Sequence, residues 1–177
     1  MSLLPDYCFL SYRDLNEEFI KENKIKAILL DIDNTLEPYE NPKPTDELLS
    51  WFDMLKNNSV RVAFVSNNNS ERVNLFNEQL GFLAFSNAKK PFKKYIIRAL
   101  NMLEVSPADA IFMGDQIFTD VAAAHNAGLR AILVPPIRDK RNLLTRVKRW
   151  LERPLLKKYR KEHPECYECE VWTRWKL

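Results

Sequence analysis

The sequence contains little cysteine, histidine or glycine, and this scarcity excludes several classes of protein. Three Cys, two His and three Gly occur among 177 residues. Cys8, Cys166 and Cys169 are too few for a disulfide scaffold, so we expect reduced thiols in a cytoplasmic protein. His163, Cys166 and Cys169 are residue types that bind metals, but a lone Cys-x-x-Cys is more typical of an exposed tail than of a zinc site.

The sequence also lacks long apolar runs. No stretch approaches the roughly 20 apolar residues that a membrane-spanning helix requires. Residues 1–6 lack the basic segment and apolar core of a secretory leader, so we expect none. The hydrophobic fraction of 46%, the charged fraction of 29% and the net charge of +3 are those of an ordinary globular protein. The length suits one domain with an extension.

What the sequence does contain is a regular alternation of two patterns. Five short apolar segments are typical of buried strands, and segments with helical periodicity separate them. The apolar segments lie at residues 26–30, 60–65, 82–85, 110–113 and 130–134. This alternation predicts a doubly wound α/β fold with a mainly parallel five-stranded sheet. We divide the chain into an N-terminal segment with a short helix (1–25), a core (26–137), and a basic helix with a tail (138–177).

The first apolar segment ends in two carboxylates. Asp31 and Asp33 follow Leu30 directly and point the same way under strand alternation. Their charges repel unless a cation such as Mg²⁺ lies beside them, and oxygen ligands near phosphate favour Mg²⁺. A bare Asp-x-Asp is also compatible with a helix cap or a turn. The neighbouring strand ends decide between these interpretations.

Polar residues follow the other strands at the same edge of the predicted sheet. Ser66 and Asn67 follow the second strand, Lys90 precedes Pro91, and Gly114-Asp115 with Asp120 follows the fourth. In parallel sheets, ligands bind beyond the carboxyl ends of the strands. We therefore expect a hydroxyl, an ammonium and several carboxylates to converge. Gly114 either lets the backbone approach a ligand closely or forms a tight turn.

This arrangement resembles the four motifs of the haloacid dehalogenase superfamily of phosphatases, over roughly residues 26–135. The segment Asp31-Ile32-Asp33-Asn34-Thr35 is similar to the first motif, Ser66 to the second, Lys90 to the third, and Gly114-Asp115 with Asp120 to the fourth. The spacing around Thr119-Asp120 and the Lys90-Pro91 step resemble subfamily IIIA. That branch includes YqeG-type proteins and mitochondrial phosphatidylglycerophosphate phosphatases.

The resemblance implies a three-layer α/β/α fold and a role for each motif residue. Asp31 would be the nucleophile and Asp33 the general acid and base. Mg²⁺ would be bound by Asp31, Asp115 and the carbonyl of Asp33. The remaining motif residues fall into two groups. Ser66, Asn67 and Lys90 would bind the substrate phosphate, and Thr35, Gly114 and Asp120 would support the site.

The spacing between the motifs limits the substrate. Neither residues 36–60 nor residues 67–90 leave room for the cap domain that many superfamily members insert. An uncapped site suits a large phosphate ester or one presented at a surface, or an oligomer that closes the mouth. The resemblance implies phosphatidylglycerophosphate or a similar lipid phosphate. A soluble sugar or nucleotide phosphate is the alternative.

Residues 138–161 form a basic segment, with eleven Lys or Arg against two acidic residues. An apolar stripe recurs at helical spacing: Leu143, Val147, Trp150, Leu151 and Leu155. The helix either lies on an anionic membrane at its inner face or packs its stripe on the sheet, and Pro154 should interrupt or kink it.

A binding module for RNA or a partner, with a vestigial phosphatase site, is the interpretation from another class. The complete set of catalytic residue types argues against it, so we do not expect nucleic acid as a partner.

Overall fold

One parallel sheet organises the fold, as seen in a computed structural model that describes residues 2–138 and 143–163. Its strands are β1 (Tyr7–Cys8), β2 (Ala27–Leu30), β3 (Arg61–Val65), β4 (Leu83–Phe85), β5 (Ala110–Gly114) and β6 (Arg130–Leu133). Their order is β1-β6-β5-β2-β3-β4, and every neighbouring pair is parallel. The predicted count of five strands was wrong, because Tyr7 and Cys8 add a sixth beside β6. A strand of two residues is too short to show an alternating pattern.

Helices cover both faces of the sheet. They are α1 (Glu17–Glu22), α2 (Asp46–Asn57), α3 (Ser70–Asn77), α4 (Lys94–Leu103), α5 (Ala122–Asn126) and α6 (Leu143–Glu162). Three shorter turns of helix lie at Tyr12–Asp14, Pro107–Asp109 and Ile117–Val121. The last of these is a single turn of π-helix, called the π-turn below. Helix α4 begins at Lys94, three residues after Pro91. Gly81 and Gly128 have positive φ angles just past helical segments, as expected of left-handed stops.

The alternation of side chains along the strands separates two hydrophobic cores. Ala27 and Leu29 of β2 face one core, to which α4, α5 and α6 contribute. Ile28 and Leu30 face the other core, to which α1, α2 and α3 contribute. A strand buried on both faces requires a continuous apolar run, and all four residues of β2 are buried. The predicted three-layer α/β/α arrangement is therefore confirmed.

The carboxyl edge of the sheet carries short connections. Every residue from 31 to 90 is described, and within this range α2 is the helix between β2 and β3, and α3 the helix between β3 and β4. A cap domain therefore does not occur in either connection.

Helix α6 packs on the core with only part of the predicted stripe, since Leu155 contacts the core and the side chain of Leu143 lies outside the described residues. Leu156 and Tyr159 are buried in the core, whereas Val147, Trp150 and Leu151 of the predicted stripe are 48%, 67% and 47% exposed. The helix continues through Pro154, although an internal proline costs about 3 kcal/mol. The hydrogen bond of Glu152 before the proline and the packing of Leu156 and Tyr159 after it hold the helix on the core. Among the described residues, none of the helices combines the length and apolar character needed to span a bilayer.

An ion pair holds the N-terminal segment against β6. Both ring nitrogens of His125 face oxygens, with 2.8 Å from Nδ1 to the Ser2 carbonyl and 2.9 Å from Nε2 to Asp6. The hydrogen bond with Asp6 raises the pKa of His125 against the opposing effect of burial. Burial opposes the charge of Asp6, but His125 and the Ala131 N–H outweigh it and lower the pKa of this carboxyl. The charged pair thus helps to keep β1 in the sheet.

We expect this pair to make stability depend on pH. The contribution of His125 is complete below its unfolded pKa of about 6.5 and is lost as pH rises through the raised folded pKa. The contribution of Asp6 is present above about pH 4 and is lost as pH falls through its lowered folded pKa. His125→Gln should lower the melting temperature by about 2–4 °C at pH 6 and by less at pH 9. Thermal unfolding at both pH values measures this, and an equal loss at both would contradict the role of the charge.

Candidate active site

Three polar residues follow three adjacent strands at one edge of the sheet. Asp31 follows β2, Ser66 follows β3 and Asp115 follows β5, with β2 in the middle of the three. The backbone continues the ladder one step beyond β2, because the Asp31 N–H donates to the Met113 carbonyl at 3.0 Å. The register of the sheet therefore fixes where the Asp31 carboxylate lies.

The ammonium group of Lys90 joins two segments of the site. Its Nζ lies 2.8 Å from Oδ1 of Asp31 and 2.7 Å from Oδ1 of Asp120. The side chain is buried, at 2% exposure. Burial disfavours the charged form of Lys90, but Asp120 and Asp31 outweigh burial and raise the pKa of the ammonium above its ordinary value. Lys90 is thus a permanent positive charge between two carboxylates.

The surroundings of Asp31 favour its neutral form, whereas those of Lys90 favour its charged form. Burial raises its pKa from an ordinary 3.8 to about 7, the charges of Asp120 and Asp115 add to this rise, and Lys90 opposes it. One ammonium therefore does not balance the negative charge at this edge. A further cation would favour the ionised form that a nucleophile needs.

Three buried carboxylates form a group that fits a divalent metal. One oxygen each of Asp31, Asp115 and Asp120 lies within 4.8 Å of the others. An oxygen-only ligand set of high negative charge suits Mg²⁺. Of the predicted ligands, Asp31 and Asp115 belong to this group, while the Asp33 side chain contacts other residues. Binding through the Asp33 carbonyl stays a prediction, and Asp120 is a third carboxylate beside the two predicted side chains.

Gly114 is explained by a close approach of Asp120. A Cβ atom at this position would lie 2.4 Å from both Cβ and Cγ of Asp120. Such a contact is far shorter than packed carbon atoms tolerate. The π-turn returns Asp120 over the end of β5, and Oδ2 accepts a 2.9 Å hydrogen bond from the Gln116 N–H. π-turns often occur at functional sites, and here the turn aims Asp120 at Lys90.

The remaining predicted residues lie around this centre. Ser66 is buried, and its hydroxyl accepts a hydrogen bond from the Asn68 N–H at 3.1 Å. The amide of Asn67 is engaged with the backbone of Lys90, where Oδ1 accepts from the N–H at 2.7 Å and Nδ2 donates to the carbonyl at 3.3 Å. Phosphate binding by Asn67 stays a prediction. Thr35 is buried in the turn after Asp33, and its hydroxyl makes no hydrogen bond with the described residues.

Three polar residues near the site were missed from the sequence. Asn68 and Arg72 donate to the two oxygens of Asp33, at 2.8 Å from Nδ2 and 3.1 Å from Nε. Glu152 of α6 is 1% exposed and accepts a 2.8 Å hydrogen bond from the Ile117 N–H. Arg72 looks like an ordinary helix residue in the sequence. The sequence contained one indication that Glu152 is special, since an isolated acid within a strongly basic helix is unusual.

We expect Gly114→Ala to displace Asp120 from Lys90. The added methyl group has no room, so the free energy of unfolding should fall by about 1–3 kcal/mol, the usual cost of overpacking. Urea unfolding measures the loss, and a crystal structure of the variant measures the displacement. Gly81→Asn is the control, because a Cβ there meets open space and asparagine tolerates the positive φ. Equal stability of Gly114→Ala and the parent would contradict the close contact.

We expect the charge of Asp31 to destabilise the metal-free protein at high pH. Between its unfolded pKa of 3.8 and its folded pKa of about 7, the folded state binds more protons, so stability falls as pH rises through this window. Asp31→Asn should therefore raise the melting temperature in EDTA at pH 8, and raise it less at pH 5.

Metal binding should reverse this difference in melting temperature between the parent and Asp31→Asn. Millimolar Mg²⁺ should raise the melting temperature of the parent at pH 8 and have little effect on Asp31→Asn. Asp53→Asn on the exposed side of α2 is the control for removing a carboxylate. A parent protein insensitive to Mg²⁺ in this assay would contradict the metal site.

Known proteins are similar to this chain over most of its length. The profile of the family described as haloacid dehalogenase-like hydrolase matches residues 7–134. A Bacillus subtilis protein named "Probable phosphatase YqeG" is 37% identical over 153 residues, which cover 86% of this chain and 89% of that protein. Both matches include the segments that carry Asp31, Ser66, Lys90 and Asp115.

Solved structures share the fold at low identity. The cobalt-bound deoxy-D-mannose-octulosonate 8-phosphate phosphatase of Haemophilus influenzae has a TM-score of 0.53 and 16% identity, covering 66% of this chain and 81% of its own. A structure from Legionella pneumophila, described as a subfamily III A hydrolase, has a TM-score of 0.51 and 19% identity, covering 65% and 69%. The family profile and the Bacillus subtilis relative each span most of the chain, so the chain belongs to the haloacid dehalogenase-like hydrolase family.

Proposed function

We propose that this protein is a Mg²⁺-dependent phosphatase that hydrolyses phosphomonoesters through Asp31. The observation that carries the proposal is the buried group of Asp31, Lys90, Asp115 and Asp120 at the open edge of the sheet. Three carboxylates and an ammonium at this spacing suit a metal and a phosphoryl group together. The similarity to the Bacillus subtilis protein adds support.

The reaction takes place in two displacements at phosphorus. In the first, a carboxylate oxygen of Asp31 bonds to phosphorus, the bond to the alcohol oxygen breaks, and Asp33 gives its proton to that oxygen. In the second, water attacks phosphorus, its proton goes to Asp33, and the bond to Asp31 breaks to release inorganic phosphate. The enzyme thereby returns to its starting state.

Other residues stabilise the phosphoryl group. Lys90 and Ser66 bind the non-bridging oxygens, since phosphoryl transfer depends mostly on positioning and electrostatics. Asn67 fixes the Lys90 backbone, and Asp120 fixes its ammonium. Asp31, Asp115 and the Asp33 carbonyl would hold Mg²⁺, which would neutralise charge on the phosphoryl oxygens.

We expect two carboxylate variants to separate this mechanism from a vestigial site. Asp31→Asn should lower kcat by at least about 10³-fold, because the nucleophile is lost. Asp33→Asn should lower it by about 10²–10⁴-fold, the usual worth of general acid–base catalysis. A p-nitrophenyl phosphate assay with Mg²⁺ measures both, with Asp53→Asn as the control. Equal activity of Asp31→Asn and the parent would reject Asp31 as the nucleophile, and no activity in either protein would favour a binding module.

We further propose a lipid phosphate such as phosphatidylglycerophosphate as the substrate. The edge of the sheet is uncapped, and a cavity of about 600 Å³ lies beside the turn that follows Asp33. Its lining combines apolar and polar residues. Leu10, Leu36, Pro38, Pro135, Pro136 and Ile137 lie beside polar residues such as Arg13, Glu37 and Glu47. A cavity of this volume has room for a bulky alcohol that carries both apolar and polar groups.

The outward face of α6 supports contact with an anionic membrane. Val147, Trp150 and Leu151 are exposed apolar residues near the N-terminal end of the helix, and exposed lysines follow on the same face one to three turns later. These lysines are Lys157, Lys158 and Lys161. Exposed apolar groups beside lysines are the pattern of a helix that lies in a lipid interface. We propose that the protein works at the inner face of the membrane through this helix.

We expect Trp150→Ser with Leu151→Ser to weaken vesicle binding. Loss of two exposed apolar side chains that would enter the lipid should reduce co-sedimentation with vesicles containing phosphatidylglycerol by at least about 10-fold. Hydrolysis of phosphatidylglycerophosphate in those vesicles should fall, while hydrolysis of p-nitrophenyl phosphate should not. Met102→Ser is the control, because Met102 is 56% exposed at the end of α4. Unchanged vesicle binding would contradict the membrane contact, and turnover of sugar phosphates alone would favour a soluble substrate.

A further inference from the structure

Asp33 is held from two sides by residues of the segment that follows β3. Nε of Arg72 donates to its Oδ1 at 3.1 Å, and Nδ2 of Asn68 donates to its Oδ2 at 2.8 Å. Both carboxylate oxygens therefore have a donor. Two donors at fixed positions restrict rotation of the carboxylate, which sets the direction in which the group faces.

Arg72 is itself fixed and buried. Its side chain is 8% exposed, and its guanidinium carbon lies 5.3 Å from the centre of the Phe76 ring. Nη1 donates to the Pro42 carbonyl at 3.0 Å, while Nη2 is buried and has no hydrogen-bond partner among the described residues. The N-cap of α3 positions the residue, since the Arg72 N–H donates to Oδ1 of Asn69 at 2.9 Å.

A buried ion pair of this kind is poorly explained by stability alone. Desolvation of two charges often costs as much free energy as their attraction returns, and an apolar pair of similar size is frequently as stable. The unpaired Nη2 adds a further cost. A leucine or methionine at position 72 would pack on Phe76 with no charge of its own to desolvate, but it would leave Asp33 without its charged partner. The specific gain from arginine is the contact with Asp33.

We propose that Arg72 is a positioning residue for the proton transfer at the alcohol oxygen. It orients the Asp33 carboxyl group towards the leaving oxygen of the ester, and Asn68 assists from the other side. The inference rests on the proposed phosphatase function, in which Asp33 gives its proton to that oxygen. Arg72 itself does not touch the substrate in this account.

The contact with Pro42 provides a competing explanation. Arg72 also ties α3 to the loop of residues 37–44, so a loss of activity alone would not separate orientation of Asp33 from support of this loop. The two explanations differ in how they depend on the alcohol. A misplaced general acid harms esters of weakly acidic alcohols, whereas a good leaving group departs without a proton.

The test compares two aryl esters that differ in the acidity of the phenol. Phenyl phosphate needs a proton on its leaving oxygen, and 2,4-dinitrophenyl phosphate does not. The value of kcat/KM covers the steps up to transfer of the phosphoryl group to Asp31, which is the step in question. Arg72→Met should lower kcat/KM by about 10²-fold for phenyl phosphate, as expected for impaired general acid catalysis. The loss for 2,4-dinitrophenyl phosphate should stay below about 5-fold.

Two further variants keep the test decisive. Arg72→Lys retains the positive charge and the fold but lacks the planar fork, so it should show the same preference for the dinitrophenyl ester with a smaller loss. Asn41→Ala perturbs the loop of residues 37–44 by removing a 2.8 Å hydrogen bond to Glu37, without touching Asp33. It should affect both esters equally, if at all. Thermal unfolding checks that each variant is folded.

The outcomes separate this inference from the proposed function. An equal loss on both esters in the folded Arg72 variants, or no loss on either, would overturn the positioning role. If Asp33→Asn shows the selective loss and the Arg72 variants do not, the phosphatase function stands and this inference fails. If the parent protein hydrolyses neither ester with Mg²⁺, the proposed function fails first.

Discussion

The ion pairs of Lys90 with two buried carboxylates are the interaction on which the rest of the site depends. They connect the segment after β4 with the ends of β2 and β5, which are far apart in the sequence. Burial, together with the charges of Asp120 and Asp115, raises the pKa of Asp31 to about 7, although Lys90 opposes the rise. The arrangement is costly for the folded state and suited to a cation. Buried charge that raises reactivity at the expense of stability is common at functional sites.

The surrounding structure serves to hold this group in place. The Asn67 amide fixes the backbone of Lys90, and the absence of a side chain at Gly114 leaves space for Asp120. Glu152 connects α6 to the same loop through the Ile117 N–H. The helix that carries the exposed apolar residues is thus in direct contact with the turn between Asp115 and Asp120. Helix α6 therefore contributes both to the exposed apolar surface and to the support of the active site.

The sequence was most informative where local pattern and position agree. The unbroken apolar run before Asp31 predicted β2 because a strand covered on both faces needs such a run, and the parallel order then brought distant strand ends together. The sequence was least informative where tertiary contacts determine the local structure. Tyr7–Cys8 forms a strand because β6 offers an edge, and Val147, Trp150 and Leu151 are exposed because Glu152, Leu156 and Tyr159 provide the packed face of α6. Arg72 acquires its significance from Asp33, which lies 39 residues earlier.

The central claim is that Asp31 and a divalent metal act on the same phosphoryl group, with Lys90 beside them. A crystal structure of the protein with Mg²⁺ and beryllofluoride, an analogue of the phosphoryl group, tests this claim most directly. The account predicts beryllium bonded to a carboxylate oxygen of Asp31, and Mg²⁺ at about 2.0–2.1 Å from oxygens of Asp31 and Asp115. It also predicts Nζ of Lys90 within hydrogen-bond distance of a fluoride. Beryllofluoride bound away from Asp31, or Mg²⁺ bound by other residues, would contradict it.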